Sequence, residues 1–442
     1  MTTLDGVRRP RPARSSRPGG RPARPAAQAA RPAGRGRAPR GATGAAARSG
    51  EVAALSYYLV AVAALLLLAL GVVMVLSAST ISSIRDNDGN PYAEFLGQAK
   101  FVIIGLPLAL VASRIPVAWY KRLAWPAMGG ALALQLLIFT PLGLEENGNV
   151  NWIIIPGLGQ TMQPSEFLKL ALALWLGLVL SRKAHLLDDW KHVLVPAGIG
   201  SVLAIGLVLA GHDMGTVLVM VALVAGAFFV AGLPMKWFAA AGVLGAGVAA
   251  ALVLSSDSRT TRVMSFLGLA EADPSGAGFQ TRHGLWGLGT GGLSGVGLGA
   301  SREKWSYLPE AHNDFIFAII GEELGLLGTL LVLALFGGLA LGMFRIVRRH
   351  TDPFVQIATA GIATWILAQA LVNIGVVIGL LPVIGVPLPL VSAGGSAMIS
   401  TLIAIGVLLA FARSEPGAAQ ALATRRGVVR RSLAVVGRGR RG

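Results

Sequence analysis

Acids and a histidine crowd the stretch Tyr307-Leu-Pro-Glu310-Ala-His312-Asn-Asp314, and two further carboxylates, Glu322 and Glu323, lie inside the apolar run that follows. A charge at bilayer depth costs at least a few kcal/mol, so an acid there has a partner or a task. Asp314 opens that run. Its position suits equally an N-cap that satisfies free backbone N–H groups and a functional carboxylate facing a cavity. On a continuous helix Glu322 stands about 12 Å deeper than Asp314 and about 80° round, and Glu323 points to nearly the opposite side. The three cannot line one cavity. Glu323 is therefore expected to pair with another helix, and Glu322 stays open between pairing and function.

The cations fall in three places. Ser165, Glu166 and Lys169 form an i, i+1, i+4 cluster at the mouth of an apolar run. Glu166 and Lys169 either neutralise each other or offer a cation to an anionic lipid head group. The run Gly289–Lys304 carries six glycines before Arg302 and Lys304. It matches neither Gly-x-x-x-x-Gly-Lys-Ser/Thr nor Gly-x-Gly-x-x-Gly after a strand. Its backbone N–H groups and two cations could still cradle a pyrophosphate, or the glycines could simply make tight turns. Further on, Pro382-Val-Ile-Gly-Val-Pro-Leu-Pro-Leu-Val-Ser392-Ala-Gly-Gly-Ser396 interrupts an apolar run, which is tolerated at membrane depth only where protein or water covers the backbone.

The elements that must position these residues are membrane spans. The 442 residues are 54% hydrophobic and 13% charged, about half the charge of a soluble domain. Ten apolar runs are long enough to cross a bilayer: about 54–78, 99–114, 122–141, 165–181, 193–211, 213–232, 236–256, 314–344, 354–382 and 396–412. The expected fold is all-α and polytopic. Of 38 basic and 21 acidic residues, 20 and 2 lie in residues 1–50 and 413–442, leaving 18 and 19 in residues 51–412. The net charge of +17 thus belongs to two Arg-rich tails, expected to be disordered and to lie near anionic membrane lipids, and is no signal for nucleic acid. Lys and Arg collect in alternate loops, which places both tails in the cytoplasm and segments 142–164 and 257–313 outside. Chemistry driven by ATP is improbable on that outer side. Cysteine is absent, which excludes disulfides and thiolate chemistry, and no zinc-ligand spacing occurs.

Several motifs in order resemble the SEDS family of cell-wall proteins (FtsW, RodA and SpoVE). They are Asn147-Gly…Trp152 with Gln163-Pro-Ser-Glu-x-x-Lys169, His212-Asp-Met-Gly-Thr216, Gly289 through Asp314, and Asn373 through Pro389 with Ser392-x-Gly-Gly-Ser396. The resemblance covers about residues 52–413. Departures are Asn151, His212, His283 and Ala393, where the family commonly has Arg, Pro, Gln and Tyr. Tyr-Leu-Pro-Glu-Ala-His-Asn-Asp and Gly-Glu-Glu-Leu-Gly are closer to the division branch than to the elongation branch.

The resemblance implies ten spans, with a large outer loop between the seventh and eighth. It also implies a septal peptidoglycan glycosyltransferase that polymerises lipid II at the outer face of the bacterial cytoplasmic membrane. The 4-hydroxyl of an incoming N-acetylglucosamine would attack C1 of N-acetylmuramic acid and expel undecaprenyl pyrophosphate with inversion. The family's catalytic Asp maps onto Asp314. Lys169, Glu166, Ser165, Arg302, Lys304, Glu310, His312 and Ser392 are the candidate substrate contacts. Mg2+ or Mn2+ would help neutralise the pyrophosphate, although no ligand cluster fixes one. The implied partners are a class B penicillin-binding protein transpeptidase and other divisome proteins. The alternatives are a lipid II flippase and an elongation polymerase.

Overall fold

The computed structural model describes residues 40–423 except 147, 158–159, 184–185, 256–259, 262, 265–276 and 306–307. The expectations for residues 1–39 and 424–442, and those on Asn147 and Tyr307, lie outside the described residues. In order, the elements are helices α1 (Arg40–Asp86), α2 (Ala93–Ala112) and α3 (Val117–Leu136), strands β1 (Gly143–Glu146), β2 (Asn149–Ile155) and β3 (Gln160–Met162), then α4 (Pro164–Lys183). Next come α5 (Trp190–Ala210), α6 (Met214–Ala231), α7 (Met235–Leu254), α8 (Ala277–Gly291), α9 (Ile316–Arg349), α10 (Pro353–Val377) and α11 (Gly395–Arg413). Among the described residues nine helices are long and apolar enough to cross a membrane, and α7 adds a shorter apolar stretch, Met235–Ala251.

Two departures lie in segments expected to be loops. Residues 143–162 form a three-stranded antiparallel sheet in the order β1-β2-β3, with Leu144 opposite Trp152 and Ile154 opposite Thr161. Helix α8 occupies part of the long segment before α9. A third departure is at the tails. Helix α1 begins at Arg40, in an alanine-rich stretch that favours helix, and residues 418–423 are helical behind a buried Glu415.

The order of the bundle follows from its caps and its core. Asp352 accepts from the backbone N–H of Phe354 with Pro353 at the first position of α10, and Asp213 accepts from that of Thr216 at the start of α6. Helix α4 is buried on nearly all sides, packed by α3, α6 and α10. Helices α10 and α11 are also mostly buried, whereas the described side chains of α7 are almost all outward-facing. An outward apolar side chain on a spanning helix meets lipid, so exposure here carries no penalty.

Helix α9 is not the unbroken span 314–344. It starts at Ile316 and breaks at Gly325, whose φ of 69° and ψ of −163° leave the helical region. The glycine-rich segment after α8 fills the break. Val296 N donates to Glu322 O at 2.9 Å and Gly297 N to Glu323 O at 3.1 Å, while Leu326 N donates to Gly292 O at 2.9 Å. A side chain at Gly295 would collide with Glu323 O, so glycine is needed for this close approach.

Candidate active site

The segment before α9 turns sharply at Glu310, which is exposed and holds φ of 55°. Its carbonyl accepts from Asn313 N at 3.0 Å and Phe315 N at 3.2 Å. These bonds, and a helix that starts two residues beyond Asp314 with no side-chain cap, exclude the N-cap reading of Asp314. The carboxylate is half-buried and makes no hydrogen bond or ion pair with any described residue. Burial, reinforced by the nearby Glu310 charge, pushes the Asp314 carboxyl up to about 7. A side chain at Gly385, which has φ of 76°, would come within 3.4 Å of Asp314 Oδ2. The proline-rich segment between α10 and α11 therefore lies directly against the carboxylate.

Two buried side chains tie that segment to the Asp314 backbone. Asn373 Nδ2, near the end of α10, donates to Asp314 O at 2.7 Å and to Val386 O at 2.8 Å. Ser392 donates its hydroxyl to Asn313 O at 2.6 Å and accepts from Leu388 N at 2.7 Å. Ala393 N adds a bond to His312 O at 3.0 Å, and Gln98 of α2 bridges Ser392 O and Gly394 N. Ser392, 3% exposed with both hydroxyl roles taken, is a staple rather than the expected substrate contact. Asn373→Ala would orphan two buried carbonyls. At about 1–3 kcal/mol for each unmade bond, a drop in melting temperature of several degrees is expected in a thermal scan of the purified chain.

The other predicted residues separate into paired and free groups. Lys169 Nζ, 1% exposed, contacts Glu166 Oε1 at 2.8 Å and Gln369 Oε1 at 3.0 Å and lies 4.9 Å from the Trp365 ring centre. Glu166 also accepts from Ser400 at 3.0 Å, and Ser165 is buried with no partner on its hydroxyl. This cluster sits inside the bundle, not at an open helix mouth. Lys304 is likewise buried, with Nζ 3.1 Å from Glu323 Oε1 and 2.7 Å from Gly299 O. Glu323 also accepts from Ser77 of α1 at 2.7 Å, so its expected pairing with another helix is present.

Glu322 is a structural partner too. It accepts from the Ser301 hydroxyl, from Arg302 N at 2.8 Å and from Glu303 N at 3.4 Å. Of the backbone donors that were to cradle a pyrophosphate, Ser301, Arg302 and Glu303 N–H are thus taken by carboxylates of the chain itself, and Val296 and Gly297 N–H by the carbonyls of Glu322 and Glu323. Arg302 differs: its side chain is exposed and its guanidinium has no partner among the described residues. His312 is half-exposed beside Asp314. Among the described residues no three of His, Cys, Asp and Glu converge as a metal-ligand group.

A second polar hub was not singled out from the sequence. Asp213 Oδ2 accepts from Gln163 Nε2 at 2.7 Å and Asn151 Nδ2 at 3.2 Å, while Gln163 N donates to Ser396 at 3.0 Å. It joins the small sheet to the starts of α4, α6 and α11. A family model described as "Cell cycle protein", covering FtsW, RodA and SpoVE, matches residues 57–416. The chain belongs to the FtsW/RodA/SpoVE family.

Other similarities agree. The chain is 39% identical over 368 residues to "Probable peptidoglycan glycosyltransferase FtsW" of Mycobacterium tuberculosis, covering 83% of this chain and 70% of that protein. It is 37% identical over 360 residues to "Stage V sporulation protein E" of Bacillus subtilis, covering 80% and 96%. A solved chain described as "Structural coordination of polymerization and crosslinking by a peptidoglycan synthase complex" superposes with a TM-score of 0.65 at 26% identity, covering 80% of this chain and 97% of that one. The rod-shape-determining protein RodA of Thermus thermophilus gives a TM-score of 0.58 at 26% identity, covering 81% and 97%. This FtsW/RodA/SpoVE family chain is a multi-pass membrane protein. Asn373 and Gln369, four residues apart in an apolar span, are the signal that sequence reading passed over, because they share one helix face.

Proposed function

We propose that this chain is a peptidoglycan glycosyltransferase that polymerises lipid II at the outer face of the bacterial cytoplasmic membrane, with Asp314 as the base or orienter of the acceptor hydroxyl. The observation that carries this reading is an unpaired, half-buried carboxyl whose pKa lies at about 7 beside a loop held by Asn373 and Ser392. A base works best when its pKa is near the operating pH. The 4-hydroxyl of the incoming N-acetylglucosamine bonds to C1 of N-acetylmuramic acid as the bond from C1 to undecaprenyl pyrophosphate breaks with inversion. The hydroxyl proton passes to Asp314, and the negative charge leaves on the pyrophosphate.

Arg302 is the cation left available for that leaving group, since Lys169 and Lys304 are already neutralised inside the fold. The relation to a structure described as coordinating polymerization and crosslinking supports a class B penicillin-binding protein transpeptidase as partner. Relatives named FtsW support action at the division septum with divisome proteins. Lys169, Glu322 and Glu323, which would suit a flippase's head-group path, are instead paired inside the bundle. The test is purified chain in liposomes with lipid II and the transpeptidase, read as glycan polymer on a gel. Polymer supports the reading. Labelled lipid II crossing the liposome without any polymer would replace it with transport.

A further inference from the structure

A groove lies at the opposite end of the bundle from Asp314. It opens between α2 and α3 around their turn, with about 650 Å³ of space lined by Leu110, Val111, Ile115, Trp119 and Leu123 and by one charged residue, Arg114. The groove exists because the two helices pack on different neighbours, α2 on α11 and α3 on α4, and splay apart from residues 113–116. The turn itself is fixed. Arg413 donates to Ser113 O, Tyr120 donates to Ala112 O at 2.6 Å, and Lys121 meets Asp352 at 2.6 Å. Asp352 starts α10 and Arg413 ends α11, whereas the Asn373 and Ser392 staples lie at the other ends of these helices.

We propose that this groove binds one anionic diacyl phospholipid of the inner leaflet, an acyl chain lying between α2 and α3 and the phosphate on Arg114. The walls are apolar and face the bilayer: Leu110 is 61%, Val111 60% and Leu123 46% exposed. Arg114 is exposed, and its guanidinium has no partner among the described residues. Charge complementarity selects the occupant. A basic pocket between spans on the cytoplasmic side suits an anionic head group, and a neutral transmembrane helix would leave Arg114 unmatched. Trp119, with Arg122 5.5 Å from its ring, follows the turn at the end of two spanning helices, and indoles beside such ends anchor in the head-group region. The proposal rests on the inward orientation of both Arg-rich tails and not on the catalytic role of Asp314.

Native mass spectrometry of the full chain, with phosphatidylglycerol or phosphatidylcholine added in turn, tests it. The wild type is expected to retain one phosphatidylglycerol in preference to phosphatidylcholine. Arg114→Gln should weaken that retention about fivefold, and Val111→Trp, which fills the groove, should abolish it. Glycan polymerisation in neutral detergent should be unchanged by Arg114→Gln, so failure here is distinguishable from failure of the glycosyltransferase reading. Equal retention of the two lipids by the wild type, or undiminished phosphatidylglycerol binding in both variants, would overturn the site. So would a second copy of the chain that is lost in Val111→Trp while lipid is not.

Discussion

Asp314→Asn is expected to lower the rate of glycan polymerisation by about 10²–10⁴-fold, the usual contribution of a positioned general base. The change keeps the shape of the side chain and removes only its ability to take a proton. Because the carboxylate makes no hydrogen bond or ion pair with a described residue, no internal contact is lost with it. The effect on stability should run the other way. A carboxyl raised from 3.8 to about 7 stabilises the fold in its protonated form, fully below about pH 4, and that contribution is lost as pH rises through 7. At alkaline pH the ionised Asp314 is a burden on the fold, so Asp314→Asn should melt no lower than wild type. A polymerisation assay paired with a thermal scan at about pH 8 separates the possibilities. Lost activity together with a large fall in melting temperature would make Asp314 structural.

Lys169→Met is expected to destabilise the chain by about 3–5 kcal/mol, because it strands Glu166 as a buried, unpaired carboxylate. The pair is almost fully enclosed, with side chains 2% and 3% exposed, so water cannot replace the lost partner. Lys169→Met with Glu166→Gln removes both charges and should recover most of the folded yield. That double variant also decides the role of Lys169. If the lysine is purely internal, as its contacts with Gln369 and Trp365 indicate, the double variant polymerises lipid II at near wild-type rate. A well-folded double variant that makes no glycan would put Lys169 on the substrate.

Much of the architecture was legible because bilayer-spanning helices announce themselves by length and apolarity. Every expected span has a helix near it, including Ala93–Ala112, where the polar first turn hid the start. What stayed hidden depended on long-range pairing. Nothing local shows that Gly325 breaks α9, because the break is stabilised by bonds from residues 292–297 that lie about 30 positions earlier. The helical angles placed Glu322 and Glu323 on different sides, and the structure gives them different partners, but Asp314 is not on that helix and the angles do not relate it to them.

At the site, residue type revealed the acids but not their company. Lys169 and Lys304 read as available cations from sequence, since only the fold shows Glu166, Gln369 and Glu323 closing around them. Arg302 and Lys304 are two residues apart, yet one is exposed and the other buried. Asn373 acts through its amide on a backbone carbonyl 59 positions away, a role no spacing rule contains. The small sheet was missed because Asn149–Ile155 is one short strand, and its partners were read as loop.

Whether the Asp314 carboxylate takes the acceptor proton is decided by the pH profile of kcat/KM for wild-type polymerisation, measured at sub-saturating lipid II, where the free enzyme's base is read. Below its pKa a base is protonated and idle, so the rate should fall about tenfold per pH unit on the acid side. A half-maximal kcat/KM is expected near pH 7, where burial and Glu310 hold the Asp314 carboxyl. A rate that stays level down to about pH 5 would contradict it, because a carboxyl with that pKa would then be at least 90% protonated without consequence.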